Sequence, residues 1–247
     1  MDQNNANKEK NNNHDDILGN LSQFIHNFKE PDEERLPQRA YYYIRHAIRN
    51  LILPPGRTIL EREIAEVLEM SRTPVREALI RLETDDALRI IPRRGFIVEP
   101  IEKNELLDVY QIIGVLEGLA AQLAAEKINE VELVELDRSV NLQEEALEQK
   151  DIKEWAILDN EFHYKIVELA DNPSLNNVID TYGDKIFRAR LYTIDNRPIP
   201  LRSIVEHKAI IACLRAGNGT AARYVIESHR KRAQQEILGV LDELNNN

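Results

Sequence analysis

The feature that most constrains the fold of this chain is a continuous series of helical patterns from residue 102 to the C-terminus. Apolar residues recur there at spacings of three and four, and no segment alternates in the way a strand does. The predicted helices cover about 104–126, 130–149, 151–170, 174–195, 201–216 and 218–244. Roughly 140 residues of this kind are enough to bury a core of their own. We therefore predict an all-α bundle for residues 102–247.

The residues before the bundle carry a second, mixed pattern. Amphipathic helices are predicted over 36–52, 60–69 and 72–84, and a turn rich in proline at 53–59 ends the first of them. Residues 88–100 predict two short strands around an Arg-Arg-Gly turn. Two helices joined by a tight turn and followed by a β-hairpin form a winged helix-turn-helix. The predicted fold class is therefore mainly α, with a small β-hairpin wing.

Three domains are predicted along the chain. They are a polar tail at 1–34, the winged helix-turn-helix at 35–101 and the helical domain at 102–247. Within the tail, residues 15–29 place apolar side chains on one stripe of a short helix. A helix of this length is not stable alone in water, so we expect it to dock on this subunit or on a neighbour.

Charge is unevenly distributed along the sequence. The formal net charge is −11 at pH 7, which taken alone would argue against a nucleic-acid partner. Residues 35–100, however, hold twelve arginines and no lysine against nine acidic side chains. This basic segment in an acidic chain indicates that the predicted winged domain meets an anionic partner.

Cysteine content and hydropathy indicate the compartment. The single cysteine, Cys213, excludes an intrachain disulfide and suits a reducing environment. The asparagine-rich N-terminus resembles neither a signal peptide nor a transit peptide. No apolar run approaches the roughly 18–20 residues that span a bilayer. We therefore expect a cytoplasmic protein with no membrane partner.

The third predicted helix of the winged domain, within SRTPVREALIRLE at 71–83, carries the side chains expected to read DNA. Its apolar stripe faces the domain core, which leaves Arg72, Thr73 and Arg76 on the opposite side near the helix start. Ser71 can cap the helix and is counted with the predicted DNA-binding residues. Arginines at the N-terminal end of a helix in the major groove reach guanine edges or phosphates, and the positive end of the helix dipole faces the DNA backbone.

Further arginines flank this helix in positions that suit contacts with the DNA backbone and the minor groove. Arg62 stands near the start of the preceding helix, where it can reach a phosphate. Arg94 and Gly95 at the hairpin tip can enter the minor groove. The simpler alternative is that all these arginines are solvated surface charges. Their placement at the start of a second helix and at the tip of a wing favours DNA contact.

Residues 36–100 resemble the DNA-binding domain of the GntR family of bacterial transcription regulators. The resemblance runs from LPPGRTILEREIAEVLEM through SRTPVREAL to RRGFIVEP, and SRTPVREAL is its most specific part. It implies DNA contacts at six positions, namely Arg62, Arg72, Thr73, Arg76, Arg94 and Gly95. Glu69 and Asp86 depart from the family, which usually has glycine at both positions, and they concern turn geometry rather than contacts.

Four side chains of the predicted bundle form a candidate metal-binding set. Asp159 and His163 stand four residues apart and share one face of a helix, while His207 and His229 belong to two later helices. One carboxylate and three imidazoles suit Zn²⁺, Ni²⁺, Mn²⁺ or Fe²⁺. Histidines on helices are more often satisfied by hydrogen bonds than by metals, so the spacing alone leaves both interpretations open.

Residues 102–245 resemble the all-helical ligand-binding domain of the FadR subfamily, usually called FCD. Its motif is Asp-x-x-x-His on one helix, Glu-His on a later helix and His on the last, matched here by Asp159, His163, His207 after Glu206, and His229. The resemblance implies one divalent ion, above all Zn²⁺, Ni²⁺ or Mn²⁺, and a small carboxylate effector beside it. Ile113 stands where the family often has an arginine that helps to hold the effector, so Arg188 and Arg190 are the candidates for that cation.

These features predict a DNA-binding transcriptional regulator whose operator affinity is controlled by a small carboxylate bound next to a metal ion. A regulator of this type is expected to bind a pseudo-palindromic double-stranded operator as a homodimer. The alternative is a metal-dependent, hydrolase-like enzyme that uses the Asp/His₃ set to activate water. The fused DNA-reading domain argues for the regulator. The sequence leaves open the operator, the effector, the metal, and whether the protein is a repressor or an activator.

Overall fold

The structure is a computed structural model that describes residues 16–28 and 35–245. It divides between Pro100 and Ile101 into two compact units. Residues 1–15 and 29–34, which make up most of the predicted polar tail, lie outside the described residues. The limits of the predicted domains stay a prediction.

The first unit is a winged helix-turn-helix preceded by one extra helix. Its elements are α1 (16–27), α2 (Leu36–Arg49), β1 (Thr58–Ile59), α3 (Glu61–Val67), α4 (Arg72–Thr84), β2 (Leu88–Ile91) and β3 (Gly95–Val98). This confirms the predicted fold class with one correction. Thr58 and Ile59, which the sequence places in a turn, pair with β3 and extend the hairpin to a three-stranded antiparallel sheet of order β1-β3-β2. The partner strand lies far along the chain, so no local pattern indicates this pairing.

Several turns of the first unit use residues in the left-handed region of the backbone. Leu51 has φ 60°, and α2 ends at Arg49 instead of continuing to residue 52 as predicted. Glu69 and Asp86 have φ 53° and 54°, values that glycine adopts without steric cost. This backbone conformation explains why the GntR resemblance implies glycine at these two positions.

Helix α1 packs onto the first unit. Leu21 is 1% exposed within the apolar core of the unit. Four further residues of its stripe pack against that core: Ile17, Phe24, Ile25 and Phe28. The Phe28 ring centroid lies 5.8 Å from that of Tyr42 and 4.9 Å from that of His46, both on α2. The short helix therefore docks on its own subunit, which gives it the stability it lacks alone.

The second unit is the predicted all-α bundle. Its helices are α5 (Lys103–Ala124), α6 (Glu130–Glu148), α7 (Ile152–Leu169), α8 (Pro173–Thr193), α9 (Leu201–Arg215) and α10 (Gly219–Asn245), with a short 3₁₀ helix at Ile194–Asn196. The side chains of Asn129, Asp151 and Asn172 cap α6, α7 and α8 by accepting hydrogen bonds from their first turns. Two apolar clusters fill the interior of the unit.

Helix α5 is long and apolar enough, by length and composition, to cross a membrane, contrary to the expectation that no apolar run approaches that length. Half of its most apolar window is buried inside the unit, where α5 packs against α7, α8 and α10. The core helix of a bundle passes the same test of length and composition, so α5 is weak evidence for a membrane. The absence of a membrane partner stays a prediction.

Candidate DNA-reading face and metal centre

The predicted DNA-reading side chains lie on the surface of the first unit. Four of them are exposed at the start of α4: Ser71, Arg72, Thr73 and Arg76. Val75 and Leu79 of the same helix are fully buried, so the helix directs its apolar face inward and its arginines outward. Ser71 occupies the N-cap position, but its hydroxyl makes no capping hydrogen bond, contrary to the expectation that it caps.

Two of the predicted DNA-binding arginines are paired with carboxylates of α3 in the free protein. Arg72 Nε lies 2.7 Å from Glu61 Oε1, and Arg62 Nε lies 3.8 Å from Glu66 Oε1. The Arg72 and Arg62 side chains are 70% and 69% exposed. Solvent therefore screens both pairs, and each contributes at most about 1 kcal/mol. DNA phosphates can compete with these carboxylates for the guanidinium groups.

The wing tip is a tight turn between β2 and β3. Arg93 adopts φ 64° and Gly95 φ 94°. A Cβ on Gly95 would lie 2.5 Å from the backbone oxygen of Ile59 on β1, so only glycine fits there. Arg94, between them, is exposed. The fold thus presents Arg94 at the surface, and the contact of Arg94 and Gly95 with DNA stays a prediction.

The second unit brings together the four side chains predicted to bind metal. Asp159 and His163 come from α7, His207 from α9 and His229 from α10. All four are buried, and one donor atom of each lies within 4.8 Å of those of the other three. Residues distant in sequence therefore meet in one buried cluster, called the Asp/His₃ cluster below.

The Asp159 carboxylate stays ionised although it is fully enclosed. Burial, the largest single influence, would raise its pKa, but Arg190 on α8 and the three histidines of the cluster together outweigh burial and hold the pKa of Asp159 well below its usual range. Arg190 Nη1 donates a hydrogen bond to Asp159 Oδ2. The other oxygen, Oδ1, lies 3.6 Å from His207 Nε2. One oxygen of Asp159 thus binds an arginine while the other faces a histidine of the cluster.

The three histidines of the cluster are neutral near pH 7. Burial disfavours the imidazolium form, and it lowers the pKa of His207 to about 3 and that of His163 well below its ordinary value. Burial also lowers the pKa of His229, against the opposing effect of Glu206. A neutral imidazole keeps a nitrogen lone pair and is the form that binds a metal ion.

Unpartnered nitrogens inside the Asp/His₃ cluster fit a metal-ligand set. The Nε2 atoms of His163 and His207 are buried and have no hydrogen-bond partner. Such an arrangement is costly for a polar atom unless something else binds it. One carboxylate and three imidazoles are donors that Zn²⁺, Ni²⁺ and Mn²⁺ accept in proteins. The donor set and its burial therefore fit a divalent cation.

A second pair of buried charges, which the sequence did not predict, lies beside the cluster. Glu117 on α5 accepts hydrogen bonds from Nε and Nη2 of Arg230 on α10, at 2.6 and 2.5 Å. Glu117 Oε2 also lies 3.1 Å from His163 Nδ1. The sequence does contain an indication of this pair. Glu117 follows Ile113 by one helical turn and so lies on the same buried face of its helix, and Arg230 follows Ile226 in the same way. A charged residue within a buried apolar stripe indicates a buried partner.

A small cavity lies against this pair of charges. Its volume of about 10 Å³ is enough for roughly one water molecule. Ile113, Glu117, His163 and Arg230 line it together with residues of α7 and α8. Arg230 therefore supplies a cation next to Ile113, the position at which the FCD resemblance implies an arginine.

The two arginines predicted to hold the effector lie elsewhere in the bundle interior. Arg188 and Arg190 are both buried on α8, and Arg190 binds Asp159. Neither lines the cavity beside His163. Their role in effector binding stays a prediction.

Comparison with known protein families covers both units. A family described as "Bacterial regulatory proteins, gntR family" matches residues 36–98, and the FCD domain matches residues 108–232, about half of the chain. The chain belongs to the GntR family. It is a DNA-binding transcriptional regulator with an FCD domain as its second unit. The expected family is thus confirmed, while membership of the FadR subfamily stays a prediction.

Individual relatives of this GntR regulator carry the same description. An uncharacterized HTH-type transcriptional regulator of Agrobacterium vitis, in the TAR-I ttuE-ttuC' intergenic region, is 40% identical over 134 residues, 53% of this chain and 78% of the relative. The HTH-type transcriptional repressor RspR of Escherichia coli strain K12 is 26% identical over 206 residues, 83% of this chain and 90% of the relative.

A solved structure of E. coli McbR/YncC shares the fold. It matches 86% of this chain and 100% of its own length with a TM-score of 0.73, at 24% sequence identity. The matched families and relatives are regulators rather than enzymes. These findings oppose the metal-dependent hydrolase that the sequence left as an alternative.

Proposed function

We propose that this regulator controls its operator through a small carboxylate effector, bound beside a divalent metal ion in the FCD domain. The observation that carries the proposal is the buried Asp/His₃ cluster, whose donor atoms lie within 4.8 Å of one another. Asp159, His163, His207 and His229 would hold one Zn²⁺, Ni²⁺ or Mn²⁺ ion. When bound, the ion supplies two positive charges close to the cavity at His163.

The charge balance of the buried site supports an anionic effector. Glu117 and Arg230 neutralise each other, and so do Asp159 and Arg190. A divalent ion would add two positive charges, and no further buried carboxylate lies among the described residues of the second unit. Uncompensated charge in a low-dielectric interior is costly. A carboxylate effector would reduce that excess.

Arg230 is the group that this chain offers to the effector. It lines the cavity, and its Nη1 is buried without a hydrogen-bond partner. A carboxylate in the cavity could accept a hydrogen bond from this nitrogen while Nε and Nη2 stay on Glu117. His163 lines the same cavity and so connects the effector position with the metal ligands.

Effector binding would require a change of conformation. A cavity of about 10 Å³ is too small for a carboxylate, since it holds roughly one water molecule. A ligand that binds only an opened arrangement shifts the population towards it. In a homodimer on a pseudo-palindromic operator, such a shift would change how well two reading helices fit their half-sites. Because the relative RspR is named a repressor, we propose that this protein represses and that the effector weakens operator binding.

Metal content is the first test. Protein purified without chelator should contain one equivalent of a divalent metal by elemental analysis, and His207→Ala should lose it. His26→Ala, a change of an exposed histidine on α1, is the matched control and should keep the metal. Absence of metal after purification and after reconstitution with Zn²⁺, Ni²⁺ and Mn²⁺ would refute the metal site.

Coupling between effector and operator is the second test. A thermal-shift screen of small carboxylates, with and without metal, should identify a stabilising ligand. That ligand should lower operator affinity by about 5- to 150-fold, and the operator should lower ligand affinity by the same factor. The response should disappear in His163→Ala. A full response without His163 and without metal would show that the metal is structural and that this mechanism is wrong.

A further inference from the structure

Two histidines of the Asp/His₃ cluster each have one nitrogen bound by a side-chain oxygen from another helix. His207 Nδ1 lies 2.9 Å from Gln143 Oε1 on α6, and His229 Nδ1 lies 2.7 Å from Glu206 Oε2 on α9. In both rings Nε2 is the remaining nitrogen. For His207 this atom has no hydrogen-bond partner and lies 3.6 Å from Asp159 Oδ1.

The contacts of Gln143 determine which His207 nitrogen carries the proton. Gln143 Nε2 donates to the backbone oxygen of Leu158 at 3.5 Å. A carbonyl can only accept, so the amide nitrogen faces Leu158 and the amide oxygen faces His207. That oxygen also only accepts, so His207 Nδ1 carries the proton and Nε2 keeps the lone pair. Gln143 is fully buried, so water offers it no alternative partner.

Glu206 acts on His229 in the same way, with a charge in place of the amide. Arg232 Nε donates to both oxygens of Glu206, to Oε1 at 2.8 Å and to Oε2 at 3.0 Å. An oxygen that accepts from a guanidinium group also accepts from the ring that it faces, so His229 Nδ1 donates to Glu206. Arg232 Nη2 lies 3.4 Å from His229 Nδ1, farther than the carboxylate oxygen, which therefore satisfies that nitrogen.

His163 differs from the other two histidines. Glu117 Oε2 lies 3.1 Å from its Nδ1, but neither ring nitrogen of His163 makes a hydrogen bond. Both oxygens of Glu117 already accept hydrogen bonds from Arg230. Two of the three rings are therefore held by an acceptor of their own, and the ring without one is the ring that lines the cavity.

We propose that Gln143 and Glu206 are positioning residues that hold His207 and His229 in the Nδ1–H tautomer and leave the Nε2 lone pair of each for a metal ion. This inference rests on the proposed metal site. Outer partners of metal-bound histidines fix ring orientation and tautomer, and their loss typically costs about 10- to 100-fold in metal affinity. Glu206 is adjacent to His207 in sequence but bonds His229, so the Glu-His pair of the motif contributes one ligand, His207, and the acceptor that supports another, His229.

The Zn²⁺ affinity of the full chain, measured by competition with a chromogenic chelator, tests the proposal. Gln143→Met and Glu206→Met remove the acceptor with little change in size, and each should weaken binding by about 10- to 100-fold. Glu206→Gln keeps an acceptor oxygen and should restore most of the wild-type affinity. The matched control is Glu236→Met, which removes another carboxylate bound by Arg232, at 2.8 Å. No contact joins Glu236 to the cluster histidines, so this variant should bind Zn²⁺ as the wild type does.

Nitrogen-15 NMR of the metal-free protein separates positioning from a general loss of structure, because it reports which ring nitrogen carries the proton. His207 and His229 should both be Nδ1–H in the wild type, and Gln143→Met should alter the tautomer of His207 alone. Three results would overturn the inference. They are wild-type Zn²⁺ affinity in both Gln143→Met and Glu206→Met, a loss of Zn²⁺ affinity in Glu236→Met as large as in those variants, and an Nε2–H tautomer in the wild type. A wild-type chain that binds no Zn²⁺, Ni²⁺ or Mn²⁺ at all would instead overturn the proposed metal site.

Discussion

The two units use their charged side chains in opposite ways. On the DNA-reading face, Arg72 is 70% exposed and its partner Glu61 belongs to the adjoining helix. In the FCD domain, Arg190 and Arg230 are each 4% exposed and are bound to buried carboxylates. An exposed pair exchanges partners at little cost, which suits the DNA contacts predicted for Arg72 and Arg62. A buried pair cannot exchange partners at little cost, because separating it leaves an uncompensated charge in the interior.

This difference shows where a small ligand can have a large structural effect. Glu117 contacts both Arg230 and His163, and His163 belongs to the Asp/His₃ cluster. A ligand that disturbs one member of this network changes the environment of the others. On the first unit, Arg72 contacts Glu61 and Arg62 contacts Glu66 as two separate pairs, so a change in one of these pairs should remain local. The predictions below test that contrast.

The largest expected effect comes from breaking the buried pair. Arg230→Met leaves the Glu117 carboxylate without its partner and should lower the free energy of unfolding by about 3–5 kcal/mol. Trp155, the single tryptophan, is buried on α7, so its fluorescence during urea unfolding of the chelator-treated protein reports on the FCD domain. The double variant Arg230→Met with Glu117→Leu should recover much of the loss. If Arg230→Met lowered the free energy of unfolding by no more than the loss of an exposed ion pair does, the buried and exposed pairs would not differ in stability as argued.

The second prediction concerns pH. The unfolded chain binds protons at its histidines near pH 6.5, whereas burial keeps His163 and His207 neutral to lower pH in the folded state. Between the unfolded and folded pKa values of a histidine, the unfolded state binds more protons than the folded state. The contribution of each neutral histidine to the free energy of unfolding is therefore complete above about pH 6.5. It falls by on the order of 1 kcal/mol for each pH unit below that. Urea unfolding followed by Trp155 fluorescence in chelator should show this slope down towards pH 3, the region of the lowered pKa of His207.

The control for the pH series lies outside the cluster. His163→Leu should make the slope shallower, and His26→Gln, at an exposed position on α1, should not change it. A slope that is the same in wild type and His163→Leu would contradict the assignment of the pH dependence to the buried cluster.

The third prediction concerns the exposed face. Arg76→Ala should lose about 1–3 kcal/mol of specific DNA binding, while the free energy of unfolding changes by no more than about 0.5 kcal/mol. Electrophoretic shifts on an operator selected from random DNA measure the first quantity. Arg62→Ala should weaken binding to all sequences alike, and Arg81→Ala near the end of α4 serves as the control. Wild-type operator affinity in Arg76→Ala would show that α4 does not read the groove as proposed.

The smallest effect is expected for Glu61→Gln. This change removes the carboxylate that pairs with the exposed Arg72 and should alter the free energy of unfolding by less than about 1 kcal/mol, with the difference fading as salt is raised. Chemical unfolding of the first unit at two salt concentrations, followed by circular dichroism, measures it. A loss comparable to that of Arg230→Met would mean that the exposed and buried pairs behave alike.

The sequence alone determined the features that depend on neighbours within one or two helical turns. The pattern at 72–84 predicted α4, which runs from Arg72 to Thr84, and it placed Arg76 on the outer face because the helical period separates apolar from polar positions. The four-residue spacing of Asp159 and His163 placed them on one face of α7 for the same reason.

Which distant residues meet depends on how the helices and strands pack. The pairing of β1 with β3, the bond between Glu117 and Arg230, and the contact of Gln143 with His207 all join segments far apart in the chain. Local periodicity carries no information about such partners, because the packing of whole helices and strands brings them together. A charge within an apolar stripe indicates that a partner exists, but only the packed bundle identifies it.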